Sequence, residues 1–111
     1  MLIGTRTLFF GDIDDAREIA VRLFMPAFEA PKWDCRYEID WPDCLWKSHA
    51  QGNDALHAIH LAQQKTGLDI YMSPYHKTGK LWWIKPWIGY GFPVPKDGRD
   101  ILIGTDKHYY G

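Results

Sequence analysis

Residues 33 to 41 alternate strictly between apolar and charged side chains, and this run constrains the fold more than any other feature. Strict alternation places the two sets on opposite faces of an extended strand, one face buried and the other in water. A strand of this kind needs a cover on its apolar side. The apolar set is Trp33, Cys35, Tyr37, Ile39 and Trp41, and the charged set is Asp34, Arg36, Glu38 and Asp40.

Further segments predict strands of the same sheet. Leu2–Phe10 is rich in Thr, Ile, Leu and Phe, and Gly11–Asp15 after it has the composition of a turn. Glu18–Met25 alternates and forms the second strand of a first hairpin, before a loop over residues 26 to 31. Leu45–His49 is predicted to return antiparallel to the Trp33–Trp41 strand.

The turn Pro42-Asp43 sets a predicted register for this second hairpin. If Asp40 and Asp43 flank the turn, Trp46 lies opposite Tyr37, Cys44 opposite Ile39 and Cys35 opposite Ser48. The two cysteines are then not partners. They are also too few for a disulfide scaffold and have no metal-ligand spacing.

Gln51–Ser73 is predicted to form one long helix. Asn53 is the expected N-cap, Asp54 favours the positive end of the helix dipole, and Pro74 is expected to end the helix. Gly67 is a possible earlier end, but the apolar pattern favours continuation through Ile70. The stripe predicted to face the sheet is Ala55, Leu56, Ile59, Ala62, Thr66 and Ile70.

Lys80–Lys85 predicts a fifth strand, because its apolar centre is bounded by Gly79 and Pro86. The fold class is therefore α+β: an antiparallel sheet of about five strands in the order β-β-β-β-α-β, with the helix packed across one face. Residues 1–111 are predicted to form a single domain. Residues 87–111, rich in glycine and proline, are expected to be an irregular tail with at most a short strand over 101–103.

Charge excludes few functions. The net charge is −1, which points to neither a nucleic-acid nor a membrane partner. Residues 1–73 carry 7 basic and 11 acidic side chains, whereas residues 74–111 carry 6 basic and 3 acidic ones. Arg6 and Asp12 interrupt any apolar run long enough for a signal peptide or membrane span, so a cytoplasmic location is expected.

The sequence contains two possible catalytic sites, and for each of them a purely structural role is the better explanation. Asp54, His57 and His60 are spaced to share a metal ion, but no fourth ligand accompanies them and a solvated helix face explains the histidines better. Cys35 lies in the apolar register and is expected to be a buried side chain rather than a nucleophile. No cofactor is predicted.

Aromatic and basic residues interleave towards the C-terminus, which favours an interaction surface. Fifteen per cent of the chain is aromatic, and part of these rings must form the core. Lys77, Lys96 and Arg99 add to the positive charge of the region. The predicted surface consists of Trp82, Trp83, Trp87, Tyr90, Phe92, Lys80 and Lys85.

Three segments carry a family resemblance: Trp33–Ile39, Gly52–Ala62 and Gly91–Pro95. Together they resemble a family of small bacterial domains of unknown function, with the pattern Trp-x-Cys-x-Tyr-x-Ile, Gly-x-Asp-Ala-Leu-x-Ala-Leu-x-Leu-Ala and Gly-Phe-Pro. The resemblance spans about residues 6 to 95, with Ile59 in place of the usual Leu and His57 in place of a common Gln. It implies a shared fold and a bacterial origin, and it supplies no catalytic residues.

The leading functional hypothesis is a non-enzymatic protein-interaction domain that binds a protein partner or a second copy of itself, as a homodimer. One alternative is small-ligand or nucleic-acid binding through the Trp- and Lys-rich C-terminal region, although the net charge argues against nucleic acid. The other alternative is a metal-dependent hydrolase that uses Asp54, His57 and His60.

Overall fold

The computed structural model describes residues 1–93 and Ile103. Six strands and two helices follow one another in the chain. They are β1 (Leu2–Phe10), β2 (Arg17–Phe24), β3 (Ala27–Glu29), β4 (Lys32–Asp40), β5 (Leu45–Gly52), α1 (Ala55–Tyr71), α2 (Pro74–Lys77) and β6 (Leu81–Trp82).

The strands form one antiparallel sheet, and the α+β prediction is confirmed. Strand β4 pairs with β5 on one side and with both β2 and β3 on the other, and β2 continues through β1 to β6. Because β1 and β4 run in the same direction, Phe10, Asp40 and the β4–β5 turn lie at the same end of the sheet. Helix α1 runs towards this end, since it starts after the opposite end of β5.

Helix α1 covers the β4 and β5 half of the sheet. The predicted apolar set is buried except for Trp33, which is partly buried. Cys35, Tyr37 and Ile39 pack in one core with Ala58, Ala62 and Ile70 of the helix.

The predicted inward stripe of the helix is partly wrong. Leu56 is 78% exposed, and Ala58, which lies outside that stripe, is fully buried. The reason is the close approach of the helix to Gly52 at the end of β5. A Cβ atom at Gly52 would lie 2.7 Å from the carbonyl carbon of His57 and 2.8 Å from Cα of Ala58. The glycine therefore lets the helix backbone rest on the strand and turns Ala58 inward.

The predicted register of the β4–β5 hairpin is wrong by two residues. Asp40 pairs with Leu45, so Ile39 lies opposite Trp46, Tyr37 opposite Ser48, and Cys35 opposite Ala50. Cys44 lies in a turn of four residues, not in the strand. A shift of two keeps every side chain on its original face, which is why the inward set is unaffected.

The boundaries of the helix also differ from prediction. Asp54, not Asn53, is the N-cap and accepts a hydrogen bond from the backbone N–H of His57. Helix α1 continues through Gly67 and Ile70, as expected, but ends at Tyr71 with Met72 as C-cap. Pro74 begins the short helix α2, where its missing N–H costs nothing, and Ser73 caps that helix.

Two further strands differ from the prediction. Residues 27 to 29 form strand β3 inside the predicted loop, and β6 is limited to Leu81 and Trp82 instead of the whole of Lys80–Lys85. Ile84 has a positive φ of 64°, which a strand does not tolerate, and the chain turns there with a hydrogen bond from Lys85 N to Trp83 O.

The β1 half of the same sheet face is covered by residues 83 to 92, not by a helix. Arg6 on β1 lies between two rings of this segment, with its guanidinium carbon 4.2 Å from the centre of Trp83 and 4.6 Å from that of Phe92. Its Nη1 also donates to the carbonyl oxygen of Tyr90. These contacts hold the irregular segment on the sheet.

Candidate functional site

A groove opens at the end of the sheet where the β4–β5 turn meets the junction of α1 and α2. Its volume is about 330 Å³, at the lower end of the range for ligand pockets. We call it the Trp46 groove. The side chains that give it its chemistry are Trp41, Asp43, Cys44, Trp46, Asp69 and Tyr75.

Asp69 fixes one wall of the groove. Its Oδ2 accepts a hydrogen bond from Nε1 of Trp46 at 3.0 Å and another from the hydroxyl of Tyr37. Burial, together with this bond to Asp69, raises the pKa of Tyr37 above its usual range, so the phenol stays protonated as a donor. The indole of Trp46 is therefore held in place although 46% of its surface is exposed.

Stacked rings form the floor. Trp41 and Tyr75 lie face to face with centroids 4.5 Å apart and an interplanar angle of 13°. The hydroxyl of Tyr75 donates to Oδ1 of Asp43, and this bond ties α2 to the β4–β5 turn. Phe10 makes an edge-to-face contact with Tyr75, so two rings and one carboxylate hold Tyr75 in place.

The groove carries uncompensated negative charge. Its lining contains two carboxylates, Asp43 and Asp69, and no Lys, Arg or His within the described residues. Of the ion pairs in the described part of the chain, none includes either carboxylate. Each carboxylate also has one oxygen, Oδ2 of Asp43 and Oδ1 of Asp69, that accepts no hydrogen bond from residues 1–93 or Ile103.

The two cysteines differ in reactivity. Cys44 is an exposed free thiol in the groove. Cys35 is fully buried, and its Sγ donates to the carbonyl oxygen of Phe24. Burial, with a smaller effect of the Asp34 charge, raises the pKa of Cys35 to about 11, so it is a protonated core side chain at neutral pH.

The predicted C-terminal aromatic surface is divided between the core and the outside. Tyr90 is 1% exposed, and its hydroxyl lies 2.5 Å from Nδ1 of His76. Trp82 is buried by stacking on Phe9. Trp83 and Phe92 are partly buried around Arg6.

The remaining members of that surface face solvent. Trp87 is 64% exposed, and Lys80 and Lys85 are exposed as well. The structure therefore leaves Trp87 and the lysines at the surface but does not gather the seven residues into one face. Lys96, Arg99 and most of the predicted strand 101–103 lie outside the described residues.

The metal candidates Asp54, His57 and His60 have local partners at the start of α1. Asp54 caps the helix, Nδ1 of His57 accepts from the backbone N–H of Asn53, and Nε2 of His60 lies 3.1 Å from the side-chain nitrogen of Gln64. No group of three possible metal ligands occurs among the described residues.

The three acidic residues of the charged set of β4 each have a partner on a neighbouring strand. Arg22 on β2 bonds to Glu38 at 3.3 Å and to Asp40 at 3.4 Å. Asp34 is buried with its Oδ1 2.5 Å from Nδ1 of His49 on β5.

Sequence reasoning missed the Trp46 groove. Asp69 belongs to the helix, Trp46 to β5 and Tyr75 to α2, so only tertiary packing brings them together. The one sequence signal was the group of aromatic residues around Pro42 and Pro74, which reads as core until their exposure is known.

Within the described residues, no helix has the length and apolar character needed to cross a membrane. A family model described as a domain of unknown function, DUF6968, matches residues 4–94. This range is close to that of the resemblance noted in the sequence, whose motifs and bacterial origin stay predictions. No curated protein and no solved structure matches the chain. Because the family model covers well over half of the residues, the chain belongs to the DUF6968 family.

Proposed function

We propose that this chain is a non-enzymatic protein-interaction domain and that the Trp46 groove is its contact site. The supporting observation is an indole that is held in position yet left half exposed. Trp46 is oriented by Asp69, and Met72 beside it in the lining is 67% exposed. Tryptophan and methionine are enriched in interfaces, where a fixed aromatic anchor loses little entropy on binding.

The groove is too small to receive a folded element and suits a few protruding side chains of a partner. Its volume of about 330 Å³ is bounded by stacked rings that cannot open without breaking the contact of Trp41 and Tyr75. Such a pocket acts as the centre of a larger contact, with the surrounding surface excluding water.

A second copy of the chain is the first partner to test, because it needs no other component. Cys44 reports occupancy of the groove, and Cys35 is buried, so a thiol reagent labels one site in the native protein. Solution mass from light scattering and the labelling rate of Cys44 are measured over the same range of protein concentration. A homodimer formed through the groove doubles the mass and slows labelling together.

A mass that doubles without protection of Cys44 would place self-association on another surface. A chain that stays monomeric, with Cys44 equally reactive at every concentration, would rule out the homodimer. The matched control is Ser48→Cys in a Cys44→Ser background. Ser48 is partly exposed on β5, the strand that follows Cys44, and does not line the groove.

Binding of a small ligand or nucleic acid through the C-terminal region is the second candidate. It is favoured by the exposed ring of Trp87 next to the exposed Lys85. Quenching of tryptophan fluorescence by oligonucleotides that weakens with added salt would support it. Unchanged fluorescence, or equal quenching of Trp87→Ala, would exclude that site.

A further inference from the structure

The Trp46 groove combines aromatic faces with carboxylates that lack a cation, and this combination selects the charge of its occupant. Cations bind over the faces of tryptophan and tyrosine rings because of the negative quadrupole of the ring. Carboxylates without a counter-ion add to the attraction. An apolar or anionic side chain in the groove would leave the two carboxylates without a counter-charge while removing water from them.

Charged residues of both signs surround the groove at this end of the sheet. The β1–β2 turn, with Asp12, Asp14 and Asp15, lies at the same end of the sheet. Lys77 ends α2, Lys80 follows it and Arg17 begins β2 at this end, but none of the three lines the groove. Among the described residues, the lining of the groove therefore presents only negative charge to an approaching cationic group.

We infer that the Trp46 groove recognises the guanidinium group of an arginine side chain of a partner protein. The inference rests on the proposed interaction function and names the chemistry of the partner. A planar guanidinium can stack on the half-exposed ring of Trp46 and donate at its edge to the carboxylates of the groove, Asp69 and Asp43. An ammonium group is a point donor with a stronger hydration shell and gains less from a flat aromatic wall.

The acceptors for this guanidinium are free within the described part of the chain. Oδ1 of Asp69 and Oδ2 of Asp43 are the unengaged oxygens, while the other oxygen of each carboxylate is already bound by Trp46 or Tyr75. These internal bonds fix the two carboxylates before the ligand arrives. Binding then requires little reordering of side chains.

The test uses small probes on the whole chain. N-acetyl-arginine methylamide is titrated into the protein, and the indole N–H resonance of Trp46 is followed by NMR, with the analogous citrulline and lysine compounds as controls. Citrulline has nearly the shape of arginine but no charge. The expected result is a saturable shift with the arginine compound, a weaker one with lysine, and none with citrulline.

Three variants locate the site. Asp69→Asn and Asp43→Asn keep an acceptor oxygen for Trp46 and Tyr75 but remove the charge, and each should weaken arginine binding about tenfold. Asp40→Asn removes the same charge from the wet face of β4, outside the groove, and should leave binding unchanged. Thermal unfolding of each variant shows whether it is folded.

Absence of binding, equal binding of citrulline or lysine, or an equal loss in Asp40→Asn would overturn the inference. The two proposals fail separately. Protection of Cys44 by a second copy without any response to the arginine probe would retain the interaction function and reject the guanidinium. A response to arginine in a chain that never self-associates would reject the homodimer and retain the guanidinium site.

Discussion

Two covers share one face of the sheet, and they are built by different means. Over β4 and β5 the cover is the regular helix α1, which packs through the small side chains of Ala58 and Ala62 and, at Gly52, directly on the strand backbone. Over β1 the cover is the irregular segment 83–92. It is attached by the cation of Arg6 between two rings, by a backbone carbonyl, and by the buried ring of Tyr90 against His76. Helix α1 is held by close packing along its length, whereas segment 83–92 is held by a few specific contacts.

This difference implies unequal tolerance of substitution and unequal local stability. A helix in backbone contact with a strand cannot move without disturbing the whole core. A segment held mainly by Arg6 and the buried ring of Tyr90 can detach while the rest of the sheet remains folded. The following predictions test that division.

Gly52→Ala should have the largest effect. The new Cβ atom would meet the backbone of His57 and Ala58, which cannot move aside as a flexible side chain would. We expect a loss of about 3 kcal/mol in the free energy of unfolding, measured by urea denaturation. Gly4→Ala is the matched control, because nothing lies within 4 Å of its Cβ position. Equal stability of the two variants would show that the helix does not rest on β5.

Arg6→Met should cost about 2 kcal/mol, since two cation–π contacts and a hydrogen bond are lost. The loss should be local: amide hydrogen exchange accelerates at residues 83 to 92 and stays slow in α1. Arg22→Met, which breaks only partly exposed ion pairs to Glu38 and Asp40, should change stability by less than about 1 kcal/mol. Equal acceleration in α1 would mean that the two covers open as one unit.

High pH should destabilise the half of the sheet that helix α1 covers. Burial raises the pKa of Cys35 from 9.0 to about 11, and the pKa of Tyr37 is also raised. The folded state therefore holds these protons more tightly than the unfolded state. The corresponding stability is complete below about pH 9 and is lost as the pH rises towards about 11. Unfolding midpoints measured across this range should fall, and they should fall less in Cys35→Ala.

Low pH should have the smallest effect on stability, and it should act on segment 83–92 over β1. His76 contacts Tyr90 and Tyr71, and burial lowers its pKa below the usual 6.5. The unfolded state then binds the proton more readily, so the stability due to neutral His76 is present above about pH 6.5 and is lost as the pH falls below it. Protection factors for hydrogen exchange near Tyr90, in which the intrinsic pH dependence of amide exchange is removed, should fall in mild acid, and His76→Gln should abolish this fall. A pH-independent protection factor in the wild-type chain would contradict the assignment.

The sequence predicted the parts of this molecule that depend on neighbouring residues. Alternation over residues 33 to 41 identified the central strand and its buried face, and the strand β1 and the hairpin of β1 and β2 followed from composition and turn residues. The register of the β4–β5 hairpin was missed because the turn has four residues where two were assumed. The rotation of α1 was missed because its cause, Gly52, lies outside the helix.

Tertiary structure alone decided the candidate site and the second cover. Trp46 and Asp69 are 23 residues apart, and Arg6 and Tyr90 are 84 residues apart, so no local period relates either pair. Whether an aromatic ring belongs to the core or to a surface depends on which distant segment covers it. Local hydrophobic patterns determine secondary structure because they act within a few residues, whereas the Trp46 groove exists only after the helix, the hairpin and α2 have met at one end of the sheet.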